Sequence, residues 1–302
     1  MAKLTAMKFV GGMCAVAGMM LVAQPAFADG HVGMKDAPAP ERSRPEFSFN
    51  LGFTTDYVFR GISQSASDPA FQGGVDMTWG IFYAGVWASQ LDFGTVGQGT
   101  NAGLDAAPAE VDLYLGITPE WGPLSFDFGG IYYMYPSGKD NFPNDGVREY
   151  DFFELKAGVS ATFVPNLTTG LTVYYSPDYT NEQGPVTTIE GSVEYELPKM
   201  WVFTPTVGGT VGTSIGDFDL NAFNAGGSAN PGFVIANGDD SYAYWNAGLT
   251  LAVEALSLDF RYWDTDIANA NPTLGRQDFC TGPTSTVFQC NERFSFTATI
   301  SY

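Results

Sequence analysis

The stretch EFSFNLGFTTDYVFR, residues 46–60, carries the strongest two-residue period in the chain. From Phe47 to Phe59 its odd positions are apolar apart from Thr55, and its even positions are polar or Gly except Val58. A β-strand places alternate side chains on opposite faces, so the stretch predicts a strand with one apolar and one polar side. It is longer than the usual strand of about five or six residues and suits a tilted strand that crosses a membrane.

The same alternation recurs along the chain. It predicts strands at 46–60, 70–79, 81–93, 110–118, 123–135, 152–163, 167–177, 188–197, 201–213, 243–255 and 256–263, with a last strand ending at Tyr302. Short and long connections alternate between them, as in outer-membrane meanders with short periplasmic turns. We therefore expect residues 46–302 to form an all-β, transmembrane, antiparallel up-and-down β-barrel of about 12 strands. A soluble β-sandwich also alternates, but the long strands and the aromatic residues near turns favour the membrane barrel.

The amino-terminal segment has the features of an export signal. Lys3 and Lys8 precede an apolar run, and Ala26-Phe27-Ala28 supplies the small residues of a cleavage site. Residues 1–28 are therefore predicted to be a signal peptide cut before Asp29. Residues 29–45 are rich in Pro and polar residues and are predicted to be a flexible periplasmic lead.

Charge and composition narrow the classes of partner. Without residues 1–28 the chain has 11 basic and 33 acidic residues, a formal charge of −22. Nucleic acid is an improbable ligand for such a chain, because binding to phosphates needs basic side chains. Charged residues make up 15 % of the chain and aromatic residues another 15 %, which suits strands between lipid and water in a bacterial outer membrane.

Two cysteines, Cys280 and Cys290, remain after the predicted cleavage. An even pair in an exported chain predicts a disulfide that closes one loop. The single histidine, His31, lies far away in the predicted lead, so we expect no metal site and no cofactor.

The chain ends in ERFSFTATISY, with an aromatic residue at the last position. Phe294, Phe296, Ile300 and Tyr302 fall on one face of the predicted final strand. This pattern is similar to the terminal signal read by the barrel-assembly machinery of the outer membrane. We therefore expect that machinery and the outer-membrane lipids to be partners. The last strand must also pair with the first, since an open sheet edge cannot exist in lipid.

The segments GFTTDYVFRGISQS at 52–65, PAFQGGVD at 69–76 and FYAGVWAS at 82–89 resemble a bacterial family of porin-like proteins called TorF, also known as Gcw_chp. The resemblance implies an outer-membrane β-barrel that acts as a porin. It does not define functional residues. The long connections 214–240 and 264–290 depart from a short family pattern and could narrow the pore or form a binding surface.

The polar faces of the predicted strands supply the candidate pore-lining residues. They are Asp56, Arg60, Asp76, Glu110, Asp112, Asp127, Glu154, Lys156, Glu190, Glu194, Glu196, Glu254, Asp259 and Arg261. Acids outnumber bases, so a water-filled lumen would favour cations. Asp56 and Arg60 stand about 13 Å apart along a strand, at roughly 3.3 Å per residue, so each is expected to pair with a neighbouring strand, for example with Gln72 and Asp76.

These residues predict a channel for passive diffusion of small solutes, with a preference for cations. The same charges could instead pair across strands and fill the interior, because about twelve strands lie between filled eight-stranded barrels and open porins. A non-conducting surface barrel that binds through 214–240 and 264–290 is the alternative. We do not expect the protein to be an enzyme. A Ser–His–Asp site needs a histidine inside the barrel, and the predicted strands contain none. Carboxylates in the lumen do not by themselves indicate a catalytic site, because they are ordinary in such barrels.

Overall fold

The computed structural model describes residues 44–94, 107–136, 150–180, 184–216, 241–267 and 288–302. The regular elements in these ranges are all strands. They are β1 (Glu46–Thr54), β2 (Val58–Phe59), β3 (Ile62–Ser63), β4 (Ala70–Trp79), β5 (Phe82–Gln90), β6 (Ala109–Ile117), β7 (Glu120–Trp121), β8 (Leu124–Met134), β9 (Phe152–Val164), β10 (Leu167–Ser176), β11 (Val186–Glu196), β12 (Thr204–Gly216), β13 (Ser241–Val253), β14 (Leu256–Thr265) and β15 (Arg293–Ser301). No helix in the described part of the chain is long and apolar enough to cross a membrane.

The twelve long strands form a closed antiparallel ring. β1 pairs with β4 on one side and with β15 on the other, and a pairing between β6 and β8 completes the circle. The short strand β7 adds to β8, whereas β2 and β3 form a separate hairpin. The predicted twelve-stranded up-and-down barrel is therefore confirmed.

The two ends of the chain make the seam of the barrel. The amide of Phe49 donates to the carbonyl of Tyr302, and the amide of Tyr302 donates back to Phe49, both at 2.9 Å. Further along the seam, Phe53 lies opposite Ala298. Closure leaves none of the twelve long strands described here with a free edge, which is the condition for crossing lipid with strands.

The outer surface of the ring is apolar. Large hydrophobic side chains that would be buried in a soluble protein are exposed here, for example Leu51 at 65 %. Aromatic residues cluster near the short turns, among them Trp79, Trp121 and Trp201. An apolar band with an aromatic girdle at its rim is the surface that a bilayer requires, so the barrel belongs in the outer membrane.

The short connections all lie at one end of the barrel, together with both ends of the ring. Gly80, Asn166 and Glu254 turn the chain there with positive φ angles of 62°, 65° and 50°. Short turns mark the periplasmic end of outer-membrane barrels, so the longer connections lie at the extracellular end. The predicted signal peptide, residues 29–43 of the predicted lead, Cys280 and most of 214–240 and 264–290 lie outside the described residues.

The prediction that the first strand continues to residue 60 is wrong. β1 ends at Thr54, and the chain turns inward through residues 55–69, named here the inner segment. Tyr57 is therefore buried, although its parity predicted an outward position. The alternation continues past Thr54, but the side chains of the inner segment find partners inside the lumen and leave the sheet.

Candidate functional site in the barrel lumen

The inner segment crosses the lumen at the extracellular end. Arg60 donates from Nη1 and Nη2 to the two carboxylate oxygens of Glu154, both at 2.8 Å. Glu154 lies on β9, which is the fifth strand from β1 around the twelve-stranded ring. An arginine that follows β1 therefore reaches almost to the opposite wall, and the ion pair ties the inner segment across the barrel.

Aromatic rings surround this ion pair. The Arg60 guanidinium carbon lies 4.7 Å from the ring centre of Phe59 and 4.9 Å from that of Tyr174 on β10. Tyr133 on β8 donates its hydroxyl to Glu154 at 3.1 Å. Both charged side chains are almost completely buried. Bidentate geometry, cation–π contacts and a further donor together offset the cost of removing the two charges from water.

Asp56 holds the fold of the inner segment. Its Oδ1 accepts from the hydroxyls of Ser63 and Ser65, at 2.6 and 3.2 Å. Its Oδ2 accepts from Arg293 on β15 at 3.0 Å. One carboxylate thus ties together the two ends of the inner segment and the closing strand.

Tyr57 extends the contacts of the inner segment to β6. Its hydroxyl donates to Glu110 at 2.7 Å, and its ring packs against Trp87 on β5 with the centres 5.4 Å apart. Burial raises the pKa of Tyr57 well above its ordinary value, and the nearby carboxylates of Glu110 and Asp112 raise it further. The phenol therefore stays protonated and remains a donor to Glu110.

Aromatic side chains from several strands and from the connections at their extracellular ends form a buried cluster with the inner segment. Phe93 packs against Phe288 with ring centres 4.6 Å apart, and Phe152 stacks on Tyr133 at 4.2 Å. Tyr179 packs on Phe152 at 4.6 Å. The extracellular half of the lumen therefore has the packing of a protein core, and the inner segment is part of that core.

Charged and polar side chains line the lumen below the inner segment. Lys156 forms an ion pair with Asp127, which also accepts from the hydroxyl of Tyr83 at 2.8 Å. On the opposite side, Arg261 bridges Asp259 at 2.8 Å and Asn246 at 2.6 Å. These groups line the wall. Asp127 and Arg261 are half-buried, whereas the others are buried.

The structure places most of the predicted pore-lining residues inside the barrel. Those that are buried are Asp56, Arg60, Glu110, Asp112, Glu154, Lys156, Glu190 and Asp259, and those that are half-buried are Asp76, Asp127, Glu194 and Arg261. The hydroxyl of Tyr114 donates to Asp76, and that of Tyr244 donates to Glu190 at 2.6 Å.

Two expectations need correction. Glu254 does not face the lumen on a strand; it is exposed in the turn between β13 and β14, because the strand ends at Val253. Asp56 and Arg60 pair neither with Gln72 nor with Asp76. Their partners lie on β15 and β9, because the inner segment has left the sheet and no longer runs beside β4.

Sequence reasoning missed several lumen residues. Arg293 pairs with Asp56, and its odd position on the last strand, whose apolar residues such as Phe294 have even numbers, was the available signal. Tyr57 had no such signal, because its odd parity predicted the lipid face. The tyrosines of the lumen lie on even or polar positions of their strands, but their packing into a core depends on the inner segment.

The lumen as described is acidic. Its four bases each bind a carboxylate: Arg60 with Glu154, Lys156 with Asp127, Arg261 with Asp259 and Arg293 with Asp56. Further acids lie beyond those four pairs, namely Asp76, Glu110, Asp112, Glu190 and Glu194. No group of three or more His, Cys, Asp or Glu side chains in the described ranges is arranged to hold a metal ion. Of the residues in the predicted assembly signal, Phe294, Ile300 and Tyr302 are exposed on the outer face, and Phe296 packs there against Phe260.

The chain is similar to several solved outer-membrane proteins at low sequence identity. The chain aligns with a NanC porin at 11 % identity and a TM-score of 0.45, covering 85 % of this chain and 99 % of that one. It aligns with a KdgM porin at 7 % identity and a TM-score of 0.48, covering 84 % of this chain and 99 % of that one. It aligns with the outer-membrane channel DcaP of Acinetobacter baumannii at 7 % identity and a TM-score of 0.38, covering 85 % of this chain and 97 % of that one.

No curated protein sequence matches this chain significantly. A family model does match, over residues 38–294, which include nearly all of the barrel. The description of this family is "Bacterial protein of unknown function (Gcw_chp)". The match agrees with the resemblance seen in the first strands. The name TorF and the porin activity that the resemblance implies stay predictions. The chain therefore belongs to the Gcw_chp family.

Proposed function

We propose that this protein is a narrow, porin-like channel of the outer membrane for passive diffusion of small solutes, with a preference for cations. The observation that carries the proposal is a closed ring of twelve strands whose outer face is apolar and whose inner face carries charged and polar side chains. A polar lining inside an apolar wall is the arrangement of a water-filled pore.

The charges of the lumen support the preference for cations. Each base in the described lumen is already bound to a carboxylate, so it contributes little field of its own. Carboxylates such as Glu194 lie beyond these pairs, in the half-buried periplasmic part. Walls of low dielectric constant strengthen the field of such groups inside a narrow pore, which attracts cations and repels anions.

The inner segment decides how much can pass. It crosses the extracellular half of the lumen and is fixed at both walls by Arg60 and Asp56. The channel is therefore narrow with the inner segment in place, and larger solutes require it to leave the lumen. We propose that the Arg60–Glu154 pair holds this narrow state.

Planar-bilayer recording tests the proposal. Folded wild-type protein in KCl is expected to give small, ohmic steps whose reversal potential in a salt gradient shows K⁺ passing more readily than Cl⁻. The variant Arg60→Ala is expected to give larger steps, because the inner segment loses its hold on β9. If neither protein conducts after its fold has been verified by circular dichroism, the channel is refuted.

A non-conducting surface barrel is the second candidate function. It is favoured by the core-like packing of the extracellular half, where Phe93, Phe288 and Tyr135 fill the interior around the inner segment. Binding would then depend on the connections 214–240 and 264–290. Absence of conductance in both wild type and Arg60→Ala, together with loss of surface binding on shortening those connections, would establish this candidate instead. Neither candidate includes catalytic turnover.

A further inference from the structure

Asp112 differs from the other buried acids of the lumen. It lies on β6 with 1 % of its surface exposed, and its Oδ1 has no hydrogen-bond partner in the described part of the chain. The strand register places Trp87 on one side of it and Tyr133 on the other. Buried carboxylate oxygens without a partner are rare, because an isolated charge removed from water carries a large penalty.

The neighbours of Asp112 increase this penalty. Glu110 lies two residues earlier on the same strand, so both side chains project into the lumen. Glu110 itself accepts from Tyr57 at 2.7 Å, and Glu154 is neutralised by Arg60. Asp112 thus lies near another acid, while the guanidinium of Arg60 is already bound to Glu154.

We propose that Asp112, supported by Glu110, binds a partly dehydrated monovalent cation in the lumen and determines the cation preference of the channel. The inference rests on the proposed function and names the residue on which its selectivity depends. Acidic side chains at a constriction are a common source of cation selectivity. Trp87 and Tyr133 lie opposite Asp112 on the neighbouring strands, and aromatic residues of this kind already contact the guanidinium of Arg60 in this lumen.

A single buried carboxylate pair suits a monovalent ion better than a divalent one. Ca²⁺ takes six to eight oxygen ligands, and the described residues offer no group of three acidic, cysteine or histidine side chains with that arrangement. A protonated Asp112 is the competing explanation, since a neutral acid needs no counter-ion. The two explanations differ in whether an ion occupies the site.

Anomalous diffraction with rubidium tests the site without any need for conduction. Crystals of the full-length mature protein soaked in RbCl are expected to show an anomalous peak in contact with Asp112 Oδ1. Crystals of Asp112→Asn should lack this peak. Absence of the peak in wild-type crystals at saturating RbCl, with rubidium visible elsewhere or not at all, overturns the proposal in favour of a protonated acid.

Reversal potentials then test the role in selectivity. Asp76→Asn is the matched control, because it removes the same charge from a lumen carboxylate that already accepts from Tyr114. We expect Asp112→Asn to lower the K⁺/Cl⁻ permeability ratio about tenfold, which corresponds to about 1.4 kcal/mol of cation binding, and Asp76→Asn to lower it much less. An equal decrease of the permeability ratio in both variants would show that the preference comes from the summed charge of the lumen, and would refute a specific site at Asp112. If the wild type does not conduct, the proposed function fails and the rubidium result alone decides whether Asp112 binds a cation.

Discussion

Arg60 and Glu154, which are 94 positions apart in the chain, form a bidentate ion pair that spans the barrel lumen. It connects the inner segment to the wall opposite the first strand. Since both side chains are almost fully buried, the loss of either partner leaves an uncompensated charge. The pair therefore links the stability of the barrel to the position of the inner segment in the lumen.

The first prediction concerns this ion pair. Arg60→Ala is expected to lower the free energy of unfolding by about 3–5 kcal/mol, because the Glu154 carboxylate then stays buried alone. Urea unfolding in detergent or lipid, followed by tryptophan fluorescence, measures this change. The double variant Arg60→Met, Glu154→Leu is the control. It should be clearly more stable than Arg60→Ala, since it buries no charge, and a double variant as unstable as the single one would contradict the explanation.

The second prediction concerns glycines beneath lumen tyrosines. A Cβ added at Gly116 would meet the ring of Tyr83 and would lie 2.6 Å from the carbonyl oxygen of Phe128. We therefore expect Gly116→Ala to destabilise the barrel by about 1–3 kcal/mol, as overpacking usually does. Gly191→Ala is the matched control, because its Cβ would meet nothing closer than 4.0 Å. Urea midpoints that fall equally for both variants would argue against a steric cause.

The third prediction tests the lipid-facing band. Leu51 lies in the middle of β1 and is 65 % exposed. Leu51→Arg is expected to cost about 2–4 kcal/mol in a bilayer, because the charge enters the hydrocarbon region. Met200→Arg, in the turn between β11 and β12, should cost about 1 kcal/mol or less, since it meets the interface. Equal costs, measured by unfolding from phospholipid vesicles, would show that the band had been placed wrongly.

The fourth prediction separates assembly from stability at the last residue. Tyr302→Ala keeps both backbone hydrogen bonds to Phe49, so refolding into detergent should be almost unchanged. In cells we expect several-fold less heat-modifiable barrel in the outer membrane, because the aromatic terminus is the proposed signal for the assembly machinery. Pulse-labelling of outer-membrane fractions measures this yield. Normal yield in cells would remove the assembly role, whereas poor refolding in detergent would point to a structural one.

The alternating pattern was sufficient to predict the barrel and to predict which side chains of each strand face lipid and which face the lumen. The twelve strands, their order and the pairing of first with last follow from residues such as Phe47 to Leu51 and Phe294 to Tyr302. These features are local, because the backbone of a strand puts neighbouring side chains on opposite faces whatever lies around it. The polar parity likewise identified Glu110, Asp112 and Glu154 as inward-facing.

The sequence by itself thus determined that the chain closes into a membrane barrel with an acidic interior, because the alternation within each strand assigns its side chains to the lipid face or to the lumen face. Only the tertiary structure decided that the first strand stops at Thr54 and that the next residues enter the lumen. Nothing local distinguishes Tyr57 and Phe59 from the alternating residues before them. Their direction depends on Glu110, Tyr133 and the Arg60–Glu154 pair, which are contacts between distant positions whose combined free energy exceeds that of continuing the strand.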